Sequence, residues 1–179
     1  MAETDWLAGR LFDPTIRVVD ARSDKDFASG HVPDAVNING FSLGGIRPGS
    51  EMPEPEAFAH LVGPLGIDEH TPVIVYDEGG RSQWSQLAGM TAWTFLYHGH
   101  PDIRYLDGGL AKWTAEGLPM SSGVPVHAPR TFAADPIEGV YCRLDQAKAS
   151  VGNDDVVFWD VRSVGEFEEP CWCNPQKNI

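Results

Sequence analysis

One stretch of the sequence combines residue types that could carry chemistry. VIVYDEGGRSQ, residues 73 to 83, is a run of apolar residues followed by two acids, two glycines, an arginine and a serine. The apolar run predicts a buried strand, and the glycines predict a tight loop that leads into a helix. Such a loop points backbone N–H groups at an anion, yet its first residue, Asp77, is itself an anion. Asp77 could act as a base or pair with Glu78, but we favour a structural role in which it accepts N–H groups of its own loop.

The rest of this loop, from Gly79 and Gly80 to Arg81 and Ser82, allows two interpretations. Arg81 and Ser82 could bind a substrate anion at the entrance of the helix. Alternatively, Ser82 only caps the helix and Arg81 pairs with one of the two acids of the loop. We favour the second interpretation, because serine is a common residue at helix N-termini and surface arginines commonly pair with nearby acids.

Two further sets of polar residues lie near the N-terminus. Asp20 and Arg22 follow the apolar residues of IRVVD, residues 16 to 20, and His31 precedes Val32 and a proline. Asp20 and Arg22 could be functional at the end of a strand, but we predict that they form a buried pair that fixes the strand to the next loop. We predict that His31 is a hydrogen-bonded structural histidine rather than a catalytic one.

The three cysteines lie late in the sequence, at Cys142, Cys171 and Cys173. Cys171 and Cys173 form a C-x-C pair that could bind a soft metal or react with an oxidant. A zinc site normally needs four ligands, and the sequence offers no second pair and no nearby histidine. We therefore predict no metal and no cofactor. An odd, late-clustered set of cysteines also favours a reducing compartment.

The polar sites described above must be positioned by an α/β domain with a central, mainly parallel sheet flanked by helices, because short β-type runs alternate with helical patterns. Strands are predicted at residues 16–20, 35–38, 73–76 and 103–106, and helices at 5–11, 24–30, 53–65, from 82 through at least 96, and 109–116. The helix at 5–11 is expected to be capped by Thr4. The predicted domain covers residues 1–120 and is followed by a linker at 121–131.

Composition excludes several classes of partner. The chain has 179 residues, of which 26 are acidic and 13 are basic, so its net charge is −13. A charge of this sign repels nucleic acid and anionic membrane surfaces, and no apolar run is long enough to cross a bilayer. We therefore predict a cytoplasmic protein with no nucleic-acid and no membrane partner.

The sequence contains an internal repeat. VVDARSDKDF, residues 18 to 27, matches FWDVRSVGEF, residues 158 to 167, and the four identical residues Asp160, Arg162, Ser163 and Phe167 are each displaced by 140 residues from their counterparts. The match predicts a second copy of the domain over residues 132–179, with a helix at 144–150 and a strand at 156–160. The repeat stops after Phe167, which predicts that the second copy is truncated and that CWCNPQKNI reflects abnormal coding. The apolar residues 156–159 must then pack on the first copy, pair with a partner or stay exposed, so association through this surface is expected.

The combination of these motifs resembles the two-domain rhodanese family of thiosulfate and mercaptopyruvate sulfurtransferases. The resemblance rests on VVDARSDKDFASGHVPDAVNI, VIVYDEGG and LDGGLAKWTAEGLP, which span roughly the first 120 residues. It implies a rhodanese-like α/β domain used twice, with a first copy that is usually non-catalytic. In such proteins the second copy is expected to carry a cysteine at the start of the loop after its central strand, a loop that the truncated second copy of this chain is predicted not to reach. That cysteine accepts sulfane sulfur as a persulfide and passes it to a thiophilic acceptor such as cyanide.

The position that matches this cysteine is Asp77 in the first copy, and a carboxylate cannot form a persulfide. We therefore predict a weakly active or inactive member of the family. One alternative is an active enzyme that uses Cys142, since GVYCRLDQ, residues 139 to 146, looks like the start of such a loop. However, no glycine or second arginine follows Cys142, and it precedes the repeated motif instead of following it. The other alternative is a non-enzymatic module whose loop binds a partner or a small sulfur-containing anion.

Overall fold

A computed structural model describes residues 1–43, 51–80, 86–161 and 164–168. The chain forms two compact units, Met1–Glu138 and Gly139–Ile179. None of the helices in these described ranges is both long enough and apolar enough to span a membrane.

The first unit contains a four-stranded parallel sheet. Its strands are β1 at Arg17–Asp20, β2 at Val36–Asn37, β3 at Val73–Tyr76 and β4 at Ile103–Tyr105, and they lie in the order β2-β1-β3-β4. The bounds of β3 are those predicted from the sequence. The sheet and its covering helices confirm the predicted α/β class.

Within the described residues of the first unit, five helices and two 3₁₀ turns accompany the sheet. The helices are α1 at Thr4–Ala8, α2 at Asp24–Ser29, α3 at Pro55–Val62, α4 at Leu87–Tyr97 and α5 at Gly109–Ala115, and the 3₁₀ turns are Gly40–Ser42 and Gly63–Leu65. The predicted helix 53–65 ends early at the turn that contains Pro64, whose missing N–H cannot continue an α-helix. The predicted cap of α1 was wrong, because Glu3 holds the N-cap position and the hydroxyl of Thr4 donates to Glu116.

The apolar side chains of the sheet pack on both of its faces. Successive residues of a strand point to opposite faces, so Val19 and Val75 lie on one side while Val18 and Ile74 lie on the other. The first side packs mainly against α3 and α4, through residues such as Phe58, Val62, Leu87, Ala92 and Phe95. The second side packs against α1, α2 and α5, through residues such as Leu7, Phe27, Leu110 and Trp113. Both faces are buried, which is typical of a parallel sheet.

Residues 121–138, which we call the strap, also belong to the first unit. The sequence places a linker at 121–131 and the start of the second copy at 132, whereas the two units separate after Glu138. Phe132 is buried in the core with Phe58 and Phe95, and Arg130 N donates to Gly63 O at 2.9 Å. A segment rich in proline and small residues can therefore lie against a domain without forming a helix or strand.

The second unit contains two described helices, α6 at Leu144–Ala149 and α7 at Val164–Glu168. The strand predicted at residues 156–160 does not form, and the side chains of Val157, Phe158 and Trp159 are exposed. A strand is stable only when a neighbour satisfies its backbone groups, and the described part of this unit offers no neighbouring strand.

Candidate functional site

The candidate site lies where β1 and β3 end. The chain passes from β2 across β1 to reach β3, so the direction of strand addition reverses between β1 and β3. Open parallel sheets bind ligands at this point, outside the carboxyl ends of the strands. The pairing of Asp20 with Tyr76 aligns the two strand ends, and Asp77 follows immediately. The topology therefore brings both predicted acidic positions to one edge of the sheet.

Asp77 is buried, and each of its carboxylate oxygens accepts a backbone hydrogen bond. Gly79 N donates to Oδ1 at 2.9 Å within the loop, and Ala88 N donates to Oδ2 at 2.9 Å from the first turn of α4. The N–H groups of the first turn of a helix have no partner within the helix. A carboxylate from the preceding loop thus takes the place that a bound anion would occupy.

Gly79 is needed in the loop after β3 because the backbone of this loop lies against the backbone at Gly108, just before α5. Gly79 has a φ of 73°, and a Cβ atom there would lie 2.1 Å from the carbonyl oxygen of Gly108. Leu110 N and Ala111 N of α5 also donate to Asp77 O and Glu78 O, at 3.0 and 2.9 Å. The loop after β3 is therefore held on one side by its own helix α4 and on the other by α5.

Asp20 and Arg22 form a buried ion pair beside Asp77. The Arg22 Nη2 and Nε atoms donate to the Asp20 carboxylate at 2.7 to 3.1 Å, and Nη2 also donates to Gly30 O at 2.7 Å. Arg22 Nη1 lies 3.4 Å from the half-exposed Glu78 carboxylate. Tyr76 completes the cluster, since its hydroxyl donates to Asp20 Oδ2 at 2.6 Å and accepts from Val32 N.

The environment of this cluster keeps both Arg22 and Tyr76 protonated. Burial opposes the charge of Arg22, but the hydrogen bond and the charge of Asp20 outweigh it and raise the pKa of the guanidinium. Burial, together with the nearby Asp20 charge, raises the pKa of the Tyr76 hydroxyl, so Tyr76 stays protonated as a donor. Neither group is free to exchange a proton near neutral pH, so the cluster is suited to holding the two strand ends and not to acid–base catalysis.

His31 is fully buried and lies outside this cluster. Its ring stacks on Phe27 with centroids 3.9 Å apart, and its two ring nitrogens lie 2.9 Å from Phe27 O and Gly123 O. The backbone of His31 also exchanges hydrogen bonds with Ser121. These contacts tie α2 to the beginning of the strap.

The structure does not bring all of the sequence-derived positions together. Asp160 and Cys142 belong to the second unit, where both are exposed. Outside the described residues lie Arg81, Ser82, Arg162, Ser163, Cys171 and Cys173. Across the residues that the structure describes, no group of three or more His, Cys, Asp or Glu side chains is arranged to hold a metal.

Two contributors to the site were missed by the sequence analysis. Tyr76 was assigned only to a strand, although a tyrosine at the end of a buried strand needs a partner for its hydroxyl, and this signal could have been used. The donor Ala88 N carries no sequence signal, because any residue at that point of the helix offers the same N–H group.

The first unit is similar to proteins of a known family. The family model of the rhodanese-like domain matches residues 3–116. A thiosulfate sulfurtransferase of Corynebacterium glutamicum is 35% identical over 133 residues, which cover 74% of this chain and 43% of that protein. The sulfur carrier protein TtuD of Thermus thermophilus is 34% identical over 138 residues, which cover 74% of this chain and 45% of that protein. This chain thus spans less than half the length of these two relatives.

The fold is similar to that of SseA from Escherichia coli, whose crystal structure is described as a rhodanese fold of the 3-mercaptopyruvate sulfotransferases. The two structures superpose with a TM-score of 0.80 and 25% identity, over 93% of this chain and 67% of that chain. The family match, the sequence relatives and this structure agree with one another. The chain belongs to the rhodanese sulfurtransferase family.

Proposed function

We propose that the first unit is a non-catalytic rhodanese unit and that this chain transfers sulfane sulfur weakly or not at all. One observation carries the proposal: Asp77 begins the loop after β3, with both carboxylate oxygens bonded to Gly79 N and Ala88 N. Sulfane transfer through a persulfide needs a thiolate at this point. A carboxylate has no sulfur atom to transfer. It also already occupies the N–H groups that would stabilise an anionic sulfur atom.

The relatives suggest the chemistry of the family to which this chain belongs. The relative from Corynebacterium glutamicum is named as a thiosulfate sulfurtransferase, and the E. coli structure belongs to the 3-mercaptopyruvate enzymes. By descent, the substrate class is a small sulfur-containing anion that donates sulfane sulfur to a thiophilic acceptor. We also propose a cytoplasmic location, which cell fractionation would test.

A thiosulfate-to-cyanide assay on the purified chain tests the proposal. We expect no rate above that of buffer alone. Clear turnover that disappears in Cys142→Ser would overturn the proposal and identify Cys142 as the nucleophile.

As a matched gain-of-function variant, Asp77→Cys places a thiol beside the N–H groups of Gly79 and Ala88. We expect this folded variant, unlike the wild type, to gain a sulfur adduct from thiosulfate.

The alternative nucleophile, Cys142, lacks comparable surroundings. Its thiol is exposed, and its hydrogen bond in the described part of the chain goes from Sγ to the carbonyl oxygen of Arg143 at 3.6 Å. A thiolate is stabilised by donors or positive charge, whereas this contact is made by a donating thiol. Cys142 therefore lacks, in the described structure, the pair of backbone donors that surrounds the Asp77 carboxylate.

A role in association is a second candidate, and the exposed residues 156–161 of the second unit favour it. Four of these side chains, Val157, Phe158, Trp159 and Val161, are apolar and largely exposed. Contiguous exposed apolar surface commonly marks an interaction site. We expect the wild type to self-associate with rising concentration in sedimentation velocity, and a Phe158→Asp/Trp159→Asp variant to remain monomeric. A wild type that is monomeric at every concentration would exclude this role.

A module that binds a small sulfur-containing anion is the remaining alternative. Its key residue would be Arg81, which lies outside the described residues. Binding would raise the melting temperature of the wild type in high thiosulfate but not that of Arg81→Ala. Because Asp77 already occupies two N–H groups of the loop, we expect no such stabilisation.

A further inference from the structure

In the described structure, the polar contacts between the middle of the strap and the rest of the first unit are made by one side chain, that of His127. At its beginning, Ser121 exchanges two backbone hydrogen bonds of 2.8 Å with His31, and at its end Arg130 N donates to Gly63 O. Between these anchors, residues 124–129 make no hydrogen bond through their backbone within the described part of the chain, and Val124 and Val126 are exposed. The hydrogen bonding of this stretch comes from the side chain of His127.

The partner of His127 is a buried arginine with few other contacts. Arg17 Nη1 lies 3.2 Å from His127 Nε2, whereas its next polar contacts are Gly66 O at 3.5 Å and Asp34 Oδ2 at 3.9 Å. Arg17 Nε is buried without a hydrogen-bond partner in the described structure. His127 is therefore the closest polar partner of a guanidinium that is otherwise poorly satisfied.

This contact requires a neutral histidine. An arginine side chain has donors only, so His127 Nε2 must accept, and its proton must sit on Nδ1. If Nε2 also carried a proton, two cations would face each other at the same distance. The Asp34 carboxylate, 3.7 Å from His127 Nε2, would offset this repulsion only in part.

The surroundings of the contact both lower and raise the pKa values of His127 and Arg17. Burial first, and then the charge of Arg17, lower the pKa of His127, while Asp34 opposes them. Burial also lowers the pKa of Arg17, the charge of Asp34 opposes this effect, and the charge of Arg130 adds to it. A histidine whose pKa is lower in the bound state binds a proton more readily when it is released, so acidification favours release.

We propose that His127 is an acid-sensitive latch that holds residues 124–129 against Arg17 at neutral pH and lets them go when its ring is protonated. The attachment at both ends of the stretch persists, because neither depends on His127. Release lengthens the free part of the strap, which joins the first unit to the second.

Limited proteolysis of the full chain with thermolysin at pH 7.5 and pH 5.5 tests the latch. Thermolysin cleaves before apolar residues, so cleavage before Val124 and Val126 is quantified by mass spectrometry. Cleavage before Val157, exposed in the second unit, serves as the internal standard for protease activity at each pH. We expect the ratio of strap cleavage to standard cleavage to rise several-fold at pH 5.5.

Two variants make the test specific. His127→Gln keeps an acceptor for Arg17 but cannot titrate, so its cleavage ratio should stay low and independent of pH. His70→Gln removes a highly exposed histidine and should respond as the wild type does. An NMR titration of the His127 ring should give the same midpoint as the cleavage ratio. The latch is refuted if the wild-type ratio does not change with pH, or if His127→Gln shows the same rise.

Discussion

The two copies of the repeated motif share four identical residues but differ in environment. In the first copy Val18, Val19 and Phe27 are 5%, 0% and 6% exposed, whereas their counterparts Phe158, Trp159 and Phe167 are 59%, 85% and 66% exposed. The first set lies in β1 and α2, where β1 pairs with β3 and the three side chains are packed in the core with residues of α4 and α5. The same local pattern is a central strand in one unit and no strand in the other. Its structure therefore depends on neighbouring strands and helices, and the motif alone does not specify it.

The ion pair of the motif gives the largest expected contrast. Asp20→Ala should destabilise the first unit by about 3–5 kcal/mol, because it leaves the buried guanidinium of Arg22 without its carboxylate. The matched change Asp160→Ala lies at an exposed position of the second unit and should alter stability by less than about 0.5 kcal/mol. Urea denaturation of both variants measures the difference. Equal effects would show that the two motifs share one environment.

The aromatic residue of the motif gives the next contrast. Phe27→Ala should cost about 3 kcal/mol, since it opens a cavity in the core and removes the stacking partner of His31. Phe167→Ala changes an exposed side chain and should have almost no effect on the denaturation midpoint. A large loss in the second variant would mean that Phe167 is buried in solution.

The loop that begins with Asp77 gives the third-largest expected change in stability. Asp77→Ala should destabilise the first unit by about 1–3 kcal/mol, because Gly79 N and Ala88 N lose their acceptor. Glu78→Ala removes a half-exposed carboxylate and should cost less than about 1 kcal/mol. The comparison is made by thermal and urea unfolding. An Asp77→Ala variant as stable as the wild type would contradict the role of the carboxylate as the internal partner of the loop.

The smallest expected effect is on the pH dependence of stability, and it should differ between the two units. All six histidines lie in residues 1–138. Burial lowers the pKa of His100 from 6.5, while Nδ1 accepts from Asp102 N and Nε2 donates to Thr71 O. Its folded pKa is the lower one, so the unfolded state binds the proton first and stability declines as pH falls below about 6.5.

Urea midpoints between pH 7.5 and pH 5.5 should therefore fall for the first unit. His100→Gln should show a weaker dependence, and His70→Gln should retain the wild-type dependence. If His100→Gln follows the wild type throughout, His100 does not contribute to the acid sensitivity of the fold.

Local sequence patterns predicted the elements that depend on local residues. β3 was predicted with its observed bounds because its apolar run lies between Pro72 and Asp77. The start of α2 also agrees with the predicted helix at 24–30, and Ser23, which accepts a hydrogen bond from Asp26 N, caps it. The contacts at the site join residues far apart in sequence. The bond from Ala88 N to Asp77 and the approach of Gly79 to Gly108 follow from packing, which no local pattern encodes.

Composition was a poor guide in two places. The strap has the proline-rich sequence of a linker, yet Phe132 within it fills a space in the core next to Phe58. The apolar run at 156–160 has the composition of a strand, yet it has no strand beside it in the described structure. In both cases the outcome depends on whether a complementary surface is present, and such a surface cannot be inferred from the segment itself.

Intact-mass spectrometry of the chain after incubation with thiosulfate tests the central claim most directly. A rhodanese nucleophile retains one sulfur atom as a persulfide, and the claim is that Asp77 leaves this chain without such a residue. We predict an unchanged mass, with the Asp77→Cys variant gaining one sulfur as the positive control. A stoichiometric gain of sulfur by the wild type, removed by Cys142→Ser, would contradict the account.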